Sequence, residues 1–133
     1  MPRRGLAPGL LVAGAVLLLG TAALHAAGAQ MVAGWTTDFD AQSRAAVQLV
    51  WLTDSFDWTV TAAAWLIAAR YPTTSWRSAA ILLALIPTTC AVGILFIEPR
   101  FFGAYLLLGS VGLALTGALA AGRTARPVVD ERR

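Results

Sequence analysis

The sequence has no lysine and no asparagine, and it has only one cysteine (Cys90) and one histidine (His25). A lone cysteine excludes a disulfide framework and a CxxC redox pair. One cysteine with one histidine cannot build a Cys/His zinc site. Cys90 lies inside an apolar run and reads as an inert thiol. No GxGxxG, P-loop, HExxH or GxSxG pattern occurs, so neither a cofactor nor a metal is expected.

Charge is also scarce. Only 13% of the 133 residues are charged and 58% are hydrophobic, with a mean hydropathy of +0.69. Soluble domains carry about 25% charged residues. A water-soluble fold of this size buries too little surface to hide so much apolar side chain. Lipid is the expected solvent. The net charge is +3, and all ten basic residues are arginines. They fall at the ends of apolar runs rather than along one face, which argues against a nucleic-acid partner and marks them as topology signals. Arginine, alanine and glycine used in place of lysine and asparagine suggest a GC-rich bacterial genome.

Four apolar runs are present, at residues 5–28, 45–69, 78–97 and 101–122. Each supplies about the 20 residues that cross a hydrocarbon core of about 30 Å. Helices are expected, because a lone strand leaves its backbone unpaired in lipid. The expected fold class is therefore all-α: a four-helix integral-membrane bundle with both ends inside. It would form a single membrane domain over 1–122, followed by a charged, disordered cytoplasmic tail over 123–133. A cell inner membrane, crossed several times, is the expected location.

The second run is the exception in chemistry, since WLTDSFDW places Asp54 and Asp57 within it. Arginine counting tests whether it spans. With four spans and the N-terminus inside, eight arginines lie inside and two, Arg44 and Arg100, outside. With the second run lying on the surface, three lie inside and seven outside. Short loops follow the positive-inside rule, so four spans are favoured. Arg3 and Arg4, the first run and Ala27-Gly28-Ala29 also imitate a cleavable signal peptide, but the run exceeds the usual length of a signal's apolar region. Asp40 is placed to cap the second helix.

A charge at mid-span costs about 2.5–3.5 kcal/mol, so such residues face a bundle interior or a wet cavity. Trp51, Asp54, Trp58, Thr61 and Trp65 recur every three or four residues and share one helical face. At 1.5 Å per residue, Asp54 lies about 13 Å below the outer end of its run. Thr21, Thr88, Thr89 and Ser110 come to a similar depth on the other runs. The spacing therefore predicts a polar site of Asp54, Asp57, Trp51, Trp58, Thr21, Thr88, Thr89 and Ser110. By the same rise His25 lies level with Gln48 at the outer interface, about 9 Å shallower than Asp54. A Ser55–His25–Asp57 catalytic set would need atoms from different depths. Ser110, Ala114 and Ala118, and Gly9 with Ala13, form small-residue stripes that favour close helix packing within or between chains.

Three functions follow from this reading. The first is a scaffold or accessory subunit without catalysis, built around a buried polar layer at Asp54. The second is a proton-coupled small-molecule transporter or channel-like protein using Asp54 and Asp57. The third is a membrane enzyme acting on a lipid or quinone. The expected partners are the lipid bilayer and a second copy or another membrane protein.

Overall fold

A computed structural model describes residues 5–124, and every regular element among them is a helix. The order is α1 (Leu6–Ala27), α2 (Ala29–Trp35), α3 (Ala41–Arg70), α4 (Thr74–Leu83), α5 (Leu85–Ile97) and α6 (Phe102–Thr124). The segments α1–α2 and α4–α5 each run as one rod, so the bundle has four rods. Three of them are long and apolar enough to cross a membrane: Leu6–Trp35, Thr74–Ile97 and Phe102–Gly122. The fourth, α3, has the length but is diluted by Gln, Ser, Thr, Arg and the two aspartates. The tail expected over 123–133 lies outside the described residues from position 125 onward.

Local chemistry sets the helix ends. Asp40 caps α3, its Oδ1 accepting from the backbone N–H of Gln42 at 3.0 Å and of Ser43 at 2.9 Å. The Ser43 hydroxyl donates to the other carboxyl oxygen at 2.6 Å. These bonds favour the ionised form, and they hold the Asp40 carboxyl below the ordinary aspartate range, the Ser43 hydroxyl contributing most. Arg44 donates to the carbonyls of Thr36, Thr37 and Phe39 at 3.1, 2.8 and 3.1 Å. Its guanidinium thus ties down the loop beyond α2, where helix carbonyls lack partners.

At the opposite end Thr73 caps α4 by accepting from Trp76 N–H at 3.3 Å. The break at Ala84 between α4 and α5 follows from Pro87. Its nitrogen has no hydrogen to give the carbonyl of Leu83, and its ring crowds that carbonyl. Trp65 Nε1–H donates to Ala80 O at 3.0 Å beside this break, stapling α3 to α4.

The four rods form a square. Along one side of α1 lies α3, and along the other lies α6. The α4–α5 rod closes the figure against α6 and α3. Leu11, Leu18, Trp58, Trp65 and Leu107 fill the centre among alanines. The α1–α6 seam is the tightest. A Cβ built on Gly14 would sit 2.7 Å from Ser110 O and 3.1 Å from Ala114 Cβ, and one on Gly117 would sit 2.7 Å from Ala7 O. Only hydrogen fits at those two positions. Thus Ser110 and Ala114 pack within the chain, whereas Gly9 and Ala13 of the other stripe face outward.

Three boundaries differ by four residues or more from those expected, the third rod beginning at Thr74 rather than 78. The first rod continues past residue 28 to Trp35, and α3 begins at Ala41 rather than 45, so the connection shrinks from 29–44 to 36–40. This shortening resets the register between α1 and α3.

Candidate functional site

The α1–α3 hairpin places residues whose numbers sum to about 80 side by side, as in His25 against Ser55 and Gly28 against Trp51. Ends at 28 and 45 had implied a sum of 73 and matched His25 with Gln48. The true register moves α3 by seven residues relative to α1, about 10 Å at 1.5 Å per residue. The depth gap between His25 and the aspartate turn therefore closes. His25 belongs with Ser55, Trp51 and Trp58, two turns further along α3 than half-buried Gln48.

His25 is held on several sides. Its Nδ1 and Ser55 Oγ share a 2.9 Å hydrogen bond. The imidazole stacks on Trp51, with centroids 3.8 Å apart and planes 11° from parallel. It also tilts against Trp58 at 4.7 Å and 60°. Trp51 Nε1–H donates to the His25 carbonyl at 2.7 Å, crossing between the helices. Gly28 makes room for this indole, because a Cβ there would lie 3.1 Å from Trp51 Cζ2.

These residues form one wall of a cavity of about 490 Å³. It opens where α5 and α3 diverge: α3 packs closely on α4 but only sparsely on α5. Thr21, Leu24 and His25 line it from α1, Met31 and Trp35 from α2, and Trp51, Asp54 and Trp58 from α3. Cys90, Ile94 and Ile97 contribute from α5, Phe102, Leu106 and Leu107 from α6, and Glu98 and Phe101 from the connection between them. Most of this lining is apolar or aromatic. Among the described residues the acidic and basic groups of the lining are Asp54, Glu98 and His25, with no arginine. The volume falls within the usual range for small-molecule sites, about 300–1,000 Å³. Of the lining residues, Trp58 and Leu107 are packed to 2% exposure or less.

Asp54 lies half-buried on the cavity wall, on the inward face of α3 with Trp51, Trp58, Thr61 and Trp65. Among the described residues its carboxylate makes no hydrogen bond and no ion pair. Asp57 is half-buried at the edge of that face and does not line the cavity.

Of the hydroxyls expected at the same depth, Thr21 alone reaches the wall, and its Oγ1 donates to Leu17 O at 2.9 Å. Thr88 donates to Ala84 O at 2.7 Å, Thr89 to Ile86 O at 2.9 Å, and Ser110 to Leu107 O at 2.7 Å. Each hydroxyl thus bonds a carbonyl of its own helix, a common alternative for Ser and Thr in helices. The site is therefore an apolar cavity with a polar wall at α1–α3, rather than a hydroxyl layer shared by four helices.

Sequence reasoning did not assign Ser55, Gly28 or Glu98 to this place. Ser55 and Gly28 were findable only with the correct hairpin register. Ser55 is buried and does not line the cavity, so its hydroxyl orients His25 rather than facing a bound molecule. Comparisons with protein-family models, with curated proteins and with solved structures find no match to this chain.

Proposed function

We propose that this chain is a four-span membrane protein that binds a small, largely apolar organic molecule in the cavity between α1–α2, α3, α5 and α6. It acts as a non-catalytic binding or accessory subunit. The observation that carries the reading is the cavity itself: about 490 Å³, mostly apolar, with polar groups on the α1–α3 wall and Glu98 at the rim. Sites for small molecules share that design, in which apolar walls supply affinity and a few polar atoms fix orientation.

Several features support α3 as the fourth span. It lies alongside α1, which is apolar enough to cross, and packs on it extensively. Its outward face carries Leu49, Val50, Leu52, Phe56, Val60, Leu66 and Ile67, all exposed. In water this would be an apolar patch beyond what soluble monomers tolerate, whereas lipid accommodates it. The eight-to-two arginine distribution favours both ends in the cytoplasm and the cavity toward the outer leaflet. The reading places the chain in a bacterial inner membrane, the lysine-free, arginine-rich composition being that of a GC-rich genome.

Binding fits the geometry better than a through-channel, because the lining residues Trp58 and Leu107 belong to the buried core that also holds Leu18. It also fits better than acyl transfer, because Ser55 sits behind His25 instead of on the cavity surface. The test uses a neutral, heavy-atom quencher, 1-bromonaphthalene, added to the full chain in dodecyl maltoside. Trp35, Trp51 and Trp58 line the cavity, so their fluorescence should be quenched saturably. A Leu24→Phe/Leu106→Phe variant that fills the space should lose the saturable part while keeping its helical circular dichroism. Quenching that rises linearly in both proteins would refute a binding cavity.

A further inference from the structure

Among the described residues the Asp54 carboxylate makes no hydrogen bond and no ion pair, and it stands beside His25 on the wall of an aromatic cavity. Resting on the reading of that cavity as a binding site, we propose that its ligand is a lipophilic organic cation. The cation's charge meets Asp54, and its apolar body fills the space among Trp35, Trp51, Trp58, Phe101 and Phe102.

The argument begins with what the wall lacks. Among the described residues no arginine lines the cavity, and nothing hydrogen-bonds or ion-pairs with the Asp54 carboxylate. A carboxylate in such surroundings attracts a cation far more strongly than it would in water, because the low dielectric weakens screening. Glu98, exposed at the rim of the cavity, adds a second acidic group, and it accepts from the backbone N–H of Arg100 at 3.1 Å. The rim and wall thus carry acidic groups at two depths, and an entering cation meets both.

The aromatic content favours the same charge. Three of the five tryptophans line the cavity, joined by Phe101 and Phe102. Indole and phenyl faces are electron-rich and attract cations, tryptophan most strongly. They also cover a bulky apolar body.

Other charges and sizes fit poorly. A divalent metal needs several hard ligands, and no group of three or more His, Cys, Asp or Glu occurs among the described residues. A small hydrated cation would have to shed its water against apolar side chains. An organic cation with diffuse charge and an apolar exterior is weakly hydrated and avoids that cost. An organic anion would meet Asp54 and Glu98 with like charge. His25 completes the wall beside Asp54, with Nδ1 engaged by Ser55 and its ring against the indoles. Its ring presents an aromatic surface next to the carboxylate, with which it also interacts electrostatically.

The test exploits two ions of nearly equal size and opposite charge, tetraphenylphosphonium and tetraphenylborate. Equilibrium dialysis of the full chain in dodecyl maltoside should show one saturable phosphonium site, with the borate bound at least about ten-fold more weakly. Asp54→Asn should weaken phosphonium binding about ten-fold and erase most of its advantage over the borate. If Asp54→Asn does not fold, Glu98→Gln at the exposed rim should still weaken phosphonium binding about three-fold. Equal binding of the two ions, or phosphonium binding unchanged in a folded Asp54→Asn, overturns the cation assignment and leaves the binding cavity standing. Binding of the neutral quencher without either ion does the same. Failure of all three probes removes both the cation assignment and the binding cavity.

Discussion

Replacing Gly14 by alanine adds one methyl group where α1 meets α6. That carbon would lie 2.7 Å from the backbone oxygen of Ser110 and 3.0 Å from the backbone nitrogen of Ala114. Neither atom can rotate away, since both belong to the α6 backbone. Restoring the 3.4 Å of ordinary contact to Ser110 O requires the helices to part by about 0.7 Å. A radial gap of that size forfeits roughly a quarter to a half of each dispersion contact it opens. Leu11, Ala15, Leu18, Leu107 and Val111 are buried around the same seam and share the loss. In lipid no hydrophobic force between helices compensates, because the tails are as apolar as leucine. Overpacking of this kind costs about 1–3 kcal/mol.

Denaturant unfolding in detergent measures the loss. The single half-buried Cys90 provides a convenient reporter through its labelling by a bulky maleimide. Gly14→Ala should be destabilised by about 1–3 kcal/mol. Gly9→Ala and Gly20→Ala, where nothing lies within 4 Å, should stay within about 0.5 kcal/mol of the parent. Gly117→Ala should resemble Gly14→Ala. Combining the two should cost less than their sum, because the first substitution already parts the helices that the second would push. A Gly14→Ala protein as stable as the parent would refute the close α1–α6 contact on which the bundle rests.

Three further predictions concern single side chains. Thr61 is fully buried and its hydroxyl has no partner among the described residues, so Thr61→Val should be neutral or more stable by about 1 kcal/mol, and a clear loss on denaturation would show a missed hydrogen bond. Trp51→Phe removes the 2.7 Å bond to the His25 carbonyl and shrinks the stacked surface; it should cost about 1–2 kcal/mol and relax the ring-current shift of the His25 Hε1 proton in NMR, which an unchanged resonance would contradict. The α3 cap should depend on acid: Asp40 has a lowered folded-state pKa, so its support is complete above the ordinary aspartate value and is lost as pH falls through the lowered one. Fraying of Gln42 and Ser43, followed by amide protection, should follow that titration in the parent and not in Asp40→Asn; equal acid sensitivity in both would discard it.

Much of this architecture was readable from residue order because lipid imposes so few solutions. Runs of about 20 apolar residues had to be helices, and Asp40 was identifiable as a cap from its position before α3. The three- and four-residue spacing of Trp51, Asp54, Trp58, Thr61 and Trp65 marked one face, and those residues are buried or half-buried. Register was not readable. Hydropathy reports where an apolar run ends and not where its helix ends, and AQMVAGW continues the first helix although it is less apolar. That one extension carried the turn to 36–40 and brought His25 to Ser55. The hydroxyls misled for a different reason. Shared depth does not choose their partners, and a carbonyl four residues back in the same helix is always within reach. The break at Ala84 was foreshadowed by Pro87, but the cavity was not, because it arises from the divergence of α3 and α5 rather than from any local sequence.

The central claim is that α3 crosses the membrane beside α1, so that Asp54 faces the bundle and its cavity. Single cysteines placed in a Cys90→Ala background at Thr37, Pro72 and Pro99 sample the three connections between the rods. In right-side-out vesicles an impermeant maleimide should label Thr37→Cys and Pro99→Cys at once, and Pro72→Cys only after permeabilisation. Labelling of Pro72→Cys from the same side as Thr37→Cys would lay α3 on the membrane surface and contradict the account.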